Sequence, residues 1–228
     1  MPKRSSVIAS VVVGIALVGG GVVAAKEVRD NINVQQACSA LAPEKTNGGM
    51  VRTGGGEDPA VIMGDSYTAS EHLDNRSDGW AYKLAAAEHW DAKVAGIGST
   101  GFVNQGPCGG DAYANRMSRV LSANPKVLVV QGGLNDWKAS PKDVETAADM
   151  LLKSASAVPT LVVVGPPSAP ARAETLPEID AALARAAKAN GAKYISALDW
   201  DLEFLPDRLH LTPAGHTKFA ELAAKALT

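Results

Sequence analysis

From Pro59 to the C-terminus, short runs of unbroken apolar residues alternate with longer stretches in which apolar residues return every three or four positions. The first pattern is that of strands covered on both faces, and the second that of helices with one buried face. Strands are predicted over residues 59–64, 92–96, 126–131, 160–165 and 193–197, with "KVLVV" and "TLVVVG" showing the continuously apolar form. The clearest helical stretch sets Val144, Ala147, Ala148, Leu151, Ala155 and Val158 on one face. Another begins near Pro177 and stops at Asn190 and Gly191. The last has Thr212 as its cap, Pro213 in its first turn, and Phe219, Leu222 and Ala223 on its buried side. Strand and helix in alternation predict an α/β fold, a three-layer α/β/α sandwich around a mostly parallel sheet of about five strands.

Upstream of Pro59 the pattern changes twice. Residues 7–25, "VIASVVVGIALVGGGVVAA", are uncharged and apolar and follow Lys3 and Arg4, the polarity of a segment that engages the export machinery. Its 19 residues are long for the apolar part of a signal peptide and just enough to span a bilayer. Residues 1–25 are therefore read as either a cleaved signal peptide or a retained transmembrane anchor. Residues 26–42 are mixed and partly helical in pattern, and 43–58, "PEKTNGGMVRTGGGED", are polar and glycine-rich. The segment 26–58 reads as an extracytoplasmic linker to a domain over 59–228.

Export changes the reading of the two cysteines. In an oxidising compartment Cys38 and Cys108 are expected to form a disulfide, with two buried free thiols as the alternative. Neither a CxxC pair nor a Cys/His cluster occurs, which argues against structural zinc. With 46% hydrophobic residues in 228, the chain has material for one well-buried core, and a net charge of -2 lacks the basic footprint of a nucleic-acid binder.

The candidate chemistry lies at strand ends and in one late loop. The first strand runs into "GDS" at Gly64, Asp65 and Ser66, the second ends in "AGIGSTGF", the third in "QGGLNDW", and the loop before the last helix reads "LPDRLHLTPAGH". Ser66 is a candidate nucleophile expected to stand exposed at its strand end, His210 its general base, and Asp207 the carboxylate that orients the imidazole. A carboxylate three residues before the histidine can fold back to the ring within one turn. Asn135 offers a side-chain amide to an oxyanion, and backbone amides of Ser66, Gly98, Ser99 and Gly101 are candidates for the other donors.

These blocks, in this order, resemble those of SGNH hydrolases, the GDSL lipase/esterase superfamily. Gly64, Asp65 and Ser66 are similar to the first block, Gly133, Leu134, Asn135 and Asp136 to the GxND block, and Asp207 and His210 to the DxxH block, over roughly residues 59–227. For the second block Gly98 and Ser99 lie nearest the family's amide donor, and Gly101 is a further candidate. The resemblance implies the SGNH form of the flavodoxin-like fold and hydrolysis of a carboxylic ester through an acyl-enzyme, with no metal or organic cofactor. The ester is a lipid, a glycan or a small molecule, selected by the loops at 67–79, 99–115 and 166–176. The enzyme is expected to be a monomer, secreted or held at the membrane by its N-terminal segment.

Other readings meet specific objections. Gly96, Gly98 and Gly101 spell the G-x-G-x-x-G of dinucleotide binding, but "FVNQGPCGGD" follows where that motif needs a helix. The nucleophile elbow G-x-S-x-G fails because position 68 is Thr. A non-catalytic carbohydrate- or partner-binding module on the same fold would be expected to lose a member of the triad, and none is missing. His216 lacks a carboxylate at the spacing of His210 and is read as a surface histidine. His72 and His89 are read as structural or solvated, and Trp80 and Trp137 as core, with Trp137 near enough to Asn135 to line an acyl site.

Overall fold

The computed structural model describes residue 29, residues 32–40 and residues 49–228. The apolar segment 7–25 lies outside the described residues, and no helix among those described is long and apolar enough to cross a membrane. Residues 32–40 are helical (α1). There follow β1 (Val51–Gly54), β2 (Asp58–Gly64), α2 (Ser66–Ala69), α3 (Trp80–Ala87), β3 (Trp90–Gly96) and α4 (Tyr113–Ser122). The second half comprises β4 (Val127–Gln131), α5 (Pro141–Ser154), β5 (Thr160–Val164), α6 (Leu176–Ala189), β6 (Lys193–Ile195) and α7 (Pro213–Leu227).

The six strands lie in the order β1-β3-β2-β4-β5-β6, all parallel except β1, which runs antiparallel to β3. Five of the strands are those predicted, and the α/β sandwich is present. Along β2, Ala60 and Ile62 face the layer that holds Trp80 of α3 and Phe219 of α7, while Val61 and Met63 face Met117 of α4 and Val144 and Leu151 of α5. Burial on both faces is what made these runs continuously apolar.

The sixth strand falls within the stretch read as a tether. Residues 51–54 pair with the outer edge of β3, and Arg52 holds Asp91 through two hydrogen bonds of 2.7 and 3.0 Å. Most of β1 is exposed. An edge strand with no buried face satisfies its backbone in the ladder and needs no apolar run, so hydrophobic pattern carries no trace of it. The three predicted helices are present, and α6 and α7 carry the end signals read from the sequence. Ser140 caps α5 by accepting from the Asp143 amide, Thr212 caps α7 by accepting from the Gly215 amide, and Gly191 turns the chain out of α6 with φ at 67°.

Cys38 is bonded to Cys108, their Cα atoms 4.8 Å apart, which joins α1 to the loop between β3 and α4. The link spans 70 positions of sequence. In the chain-entropy account a loop of that length stabilises by roughly 4 kcal/mol. Replacing both cysteines by serine is expected to lower Tm by about 10 °C and leave the rate of hydrolysis at 25 °C near that of the wild type. An unchanged Tm would mean that the bond constrains nothing in the unfolded chain.

Candidate active site

Register brings three chain segments together at one edge of the sheet. Gly64 at the end of β2 stands opposite Gly96 at the end of β3, and on the other side Met63 stands opposite Val130 of β4. The segments that leave these strands emerge side by side at the carboxyl edge, about the point where the strand order reverses.

Ser66 opens α2. Its neighbour Asp65 is fully buried and caps the helix, Oδ1 accepting from the Tyr67 amide at 3.0 Å and Oδ2 from Gln131 Nε2 at 3.4 Å. Burial pushes the Asp65 carboxyl up to about 7, against the pull of those hydrogen bonds. The cap leaves the Ser66 amide among the unpaired first N–H groups of the helix. Ser66 is only 7% exposed. It does not stand clear of its strand end as expected: the whole of α2, Ser66 to Ala69, is buried.

A half-buried cation braces this edge from below. Arg116 of α4 donates to the carbonyls of Ala95 and Gly64, each at 3.1 Å, and to Thr100 Oγ1 at 3.2 Å. A buried carboxylate shapes the loop after β3: Asp136 accepts from the amides of Phe102, Val103 and Asn104 at 3.0, 2.9 and 2.9 Å. Burial raises the Asp136 pKa, and the three amides counter it. A Cβ at Gly101 would lie 2.4 Å from Asp136 Oδ1, and one at Gly96 would lie 2.1 Å from the Ala69 amide nitrogen. The glycines that mimic a dinucleotide motif are thus small because the protein's own groups approach them.

Asn135 sits in the short 3-10 turn Leu134–Asp136 after β4. Its Nδ2 donates to Thr100 O at 3.0 Å, and its Oδ1 accepts from Arg172 Nη1 at 3.0 Å. These two bonds orient the amide and use one N–H, which leaves the second for a ligand. Among the candidate backbone donors, Gly101 is set aside, because its amide is already given to Asn104 O at 2.9 Å. Gly98 is buried, and Ser99 is exposed and left-handed with φ at 58°.

The late loop supplies the imidazole. His210 Nδ1 lies 2.6 Å from Asp207 Oδ2, while Asp207 Oδ1 accepts from the amides of Leu209 and His210, each at 2.9 Å. Burial works to raise the Asp207 carboxyl, but the hydrogen bonds from the His210 ring and the two amides outweigh it and hold the group at about 2. The His210 imidazole is lowered from its ordinary value chiefly by burial, with Asp207 opposing and His72 and Arg172 adding to the shift. The shift favours the uncharged ring, and with Nδ1 bound to Asp207 its remaining nitrogen is Nε2. Tyr67, next to Ser66, donates its hydroxyl to Leu209 O at 2.5 Å, and its ring centroid lies 6.4 Å from that of His210. The serine helix and the histidine loop are stitched together at this point.

The other singled-out residues divide. His216 is buried, not a surface histidine, and its Nδ1 accepts from the Trp80 amide at 3.3 Å; burial, with His210 and Lys83, lowers its pKa to about 4. It belongs to the packing of α7 on α3. His89 is exposed. His72 is exposed but not remote, its ring centroid 4.2 Å from that of His210. Trp80 is core, whereas Trp137 is 37% exposed with the Arg172 guanidinium 5.3 Å over its ring. The core reading of Trp137 is thus corrected: the turn that buries Asp136 turns its neighbour outward, to the rim beside Asn135. Asp136 could have been singled out from its place in the GLND block. Arg116 and Arg172 stand in stretches with no local signal, and only the fold brings them here.

Fold and residues together define an ester hydrolase of the SGNH class. The chain belongs to the GDSL-like Lipase/Acylhydrolase family, which it matches over residues 62–218. No curated protein matches it in sequence. Among solved structures it is similar to a member of the lipolytic G-D-S-L family from Veillonella parvula, at 13% identity over 73% of this chain and 96% of that one, with a TM-score of 0.61. The aryl esterase of M. smegmatis aligns at 15% identity over 75% of this chain and 98% of that one, with a TM-score of 0.61. A carbohydrate acetylesterase from Sinorhizobium meliloti does so at 15% identity over 75% and 98%, with a TM-score of 0.60.

Proposed function

We propose that the chain is a serine esterase working outside the cytoplasm. Ser66 attacks the ester carbonyl while His210 Nε2 takes its proton; the proton passes to the departing alcohol, and water, activated by the same ring, releases the acid from the acyl-serine. Asp207 holds the ring and balances its charge when protonated. The observation that carries this reading is the 2.6 Å bond from His210 to Asp207 on the loop gripped by Tyr67. The second Asn135 N–H, the Ser66 amide and an amide of Gly98 or Ser99 are the donors for the oxyanion.

The disulfide favours an oxidising compartment, and the apolar segment behind Lys3 and Arg4 supplies a route there. Trp137, with Arg172 and Lys138 against its ring, sets a partly exposed aromatic and cationic rim beside Asn135, where the alcohol side of the ester would pass. The aryl esterase and the carbohydrate acetylesterase among the structural neighbours support the same class. A series of chromogenic aryl esters of increasing acyl length, run beside an acetylated glycan with Ser66→Ala as the blank, tests this. Short acyl groups on ring alcohols are expected to give the highest kcat/KM, and no turnover of any ester would sink the proposal.

Asn135 separates mechanism from scaffold. An ester oxygen gains nearly a full charge only in the transition state, so a fixed donor favours that state over the bound substrate. Asn135→Ala is expected to lower kcat about 100- to 1000-fold, roughly 2.7–4 kcal/mol of barrier, with KM little changed. Arg172→Met should cost less and add nothing in the Asn135→Ala background, since Arg172 acts on the hole through Asn135 Oδ1. A variant that lost Tm but kept kcat would reduce Asn135 to a turn residue.

A further inference from the structure

Glu71 and His72 follow α2 directly and reach the same mouth as His210. One carboxylate oxygen and two imidazole nitrogens from these three residues all lie within 4.8 Å of one another. The geometry points to a zinc-binding site made of Glu71, His72 and His210, at which the ion switches the esterase off by occupying the ring nitrogen that Ser66 needs. This rests on His210 being the general base.

Two imidazoles and a carboxylate, with a fourth position open to water, are a donor set that zinc accepts. A tetrahedral ion with ligands at about 2.1 Å holds them about 3.4 Å apart. The set must therefore draw in by an ångström or so, which exposed His72 can supply by rotating. His210 is already prepared: a ligating histidine commonly gives its other nitrogen to a carboxylate that fixes the ring and strengthens it as a donor, and Asp207 holds His210 Nδ1 in that way. The nitrogen left to the ion is Nε2, and once coordinated it has no lone pair for a proton. Glu71 also lies close over the edge, its Oε1 1.6 Å from where a Cβ on Gly98 would stand. The ion would thus sit at the entrance beside the amides offered to the oxyanion.

Zinc chloride titrated into the chelator-treated protein tests this, with binding read by competition against a chromogenic zinc chelator and hydrolysis of an aryl ester followed in parallel. One zinc per chain is expected, with hydrolysis falling at the same midpoint and returning on addition of EDTA. His72→Ala and Glu71→Gln should each raise both midpoints tenfold or more, each rate being taken relative to that variant's own zinc-free rate. Absence of binding, or midpoints unmoved in both variants, would overturn the site. Zinc bound through these residues with hydrolysis unaffected would overturn the switch. The chelator readout needs no turnover, so a failure of the serine-esterase reading, seen as hydrolysis that survives Ser66→Ala, would be recognised separately.

Discussion

Ser66→Ala is expected to abolish ester hydrolysis, lowering kcat by at least about 10⁴-fold, because without the nucleophile no acyl-enzyme forms and only the donors and binding contacts remain. Its structural cost should be small. The backbone around it is held by the Asp65 cap and by the Glu71 amide, which donates to Ser66 O at 3.0 Å, and the substitution touches neither. A Tm within about 2 °C of the wild type is therefore expected. A fluorophosphonate should label the wild type at Ser66 alone and leave the variant unlabelled. Turnover equal to the wild type, or labelling at another serine, would move the nucleophile elsewhere.

The second large effect is expected at Asp207. An asparagine there keeps the shape but can offer an N–H towards His210 Nδ1, which favours the tautomer whose proton sits on Nε2, where a base must have none. A fall in kcat of about 10³- to 10⁴-fold follows. The pH profile gives the same assignment a sign. As the proposed base, His210 works in its neutral form, and burial lowers its pKa, so kcat/KM of the wild type should hold through neutral pH and fall only on acidification, with a midpoint below the ordinary histidine value of about 6.5. Asp207 opposes that lowering, so its replacement should move the midpoint further down. His210→Ala should be as inactive as Ser66→Ala, and a profile unchanged in Asp207→Asn would separate the carboxylate from the base.

Much of this molecule is legible along the chain because local rules and burial agree. Runs such as Val127–Val130 are apolar throughout since both faces of their strands are covered, and Thr212, Pro213 and Gly191 mark helix ends by backbone chemistry that needs no tertiary context. Ser66, Asn135, Asp207 and His210 stand out for a related reason: polar residues placed where apolar runs stop, or a carboxylate three positions from an imidazole, are local patterns. What escaped depends on partners far away in sequence. β1 is held by its ladder to β3, so Val51–Gly54 carries little apolar signal. Arg116 and Arg172 look like ordinary charged residues until the fold sets one under the ends of β2 and β3 and the other against Asn135. Nothing local to Gly101 marks that its amide is spent on Asn104 O, a bond that only the folding of the loop makes. The burial of His216 and the meeting of His72 with His210 were decided in the same way, by how α3, α7 and the loop after α2 pack. Sequence determined the elements and the candidate reactive side chains, because those follow from local conformation and from which faces avoid water; tertiary structure alone decided which donors are already spent and which charges meet, because hydrogen bonds and Coulomb forces act through space.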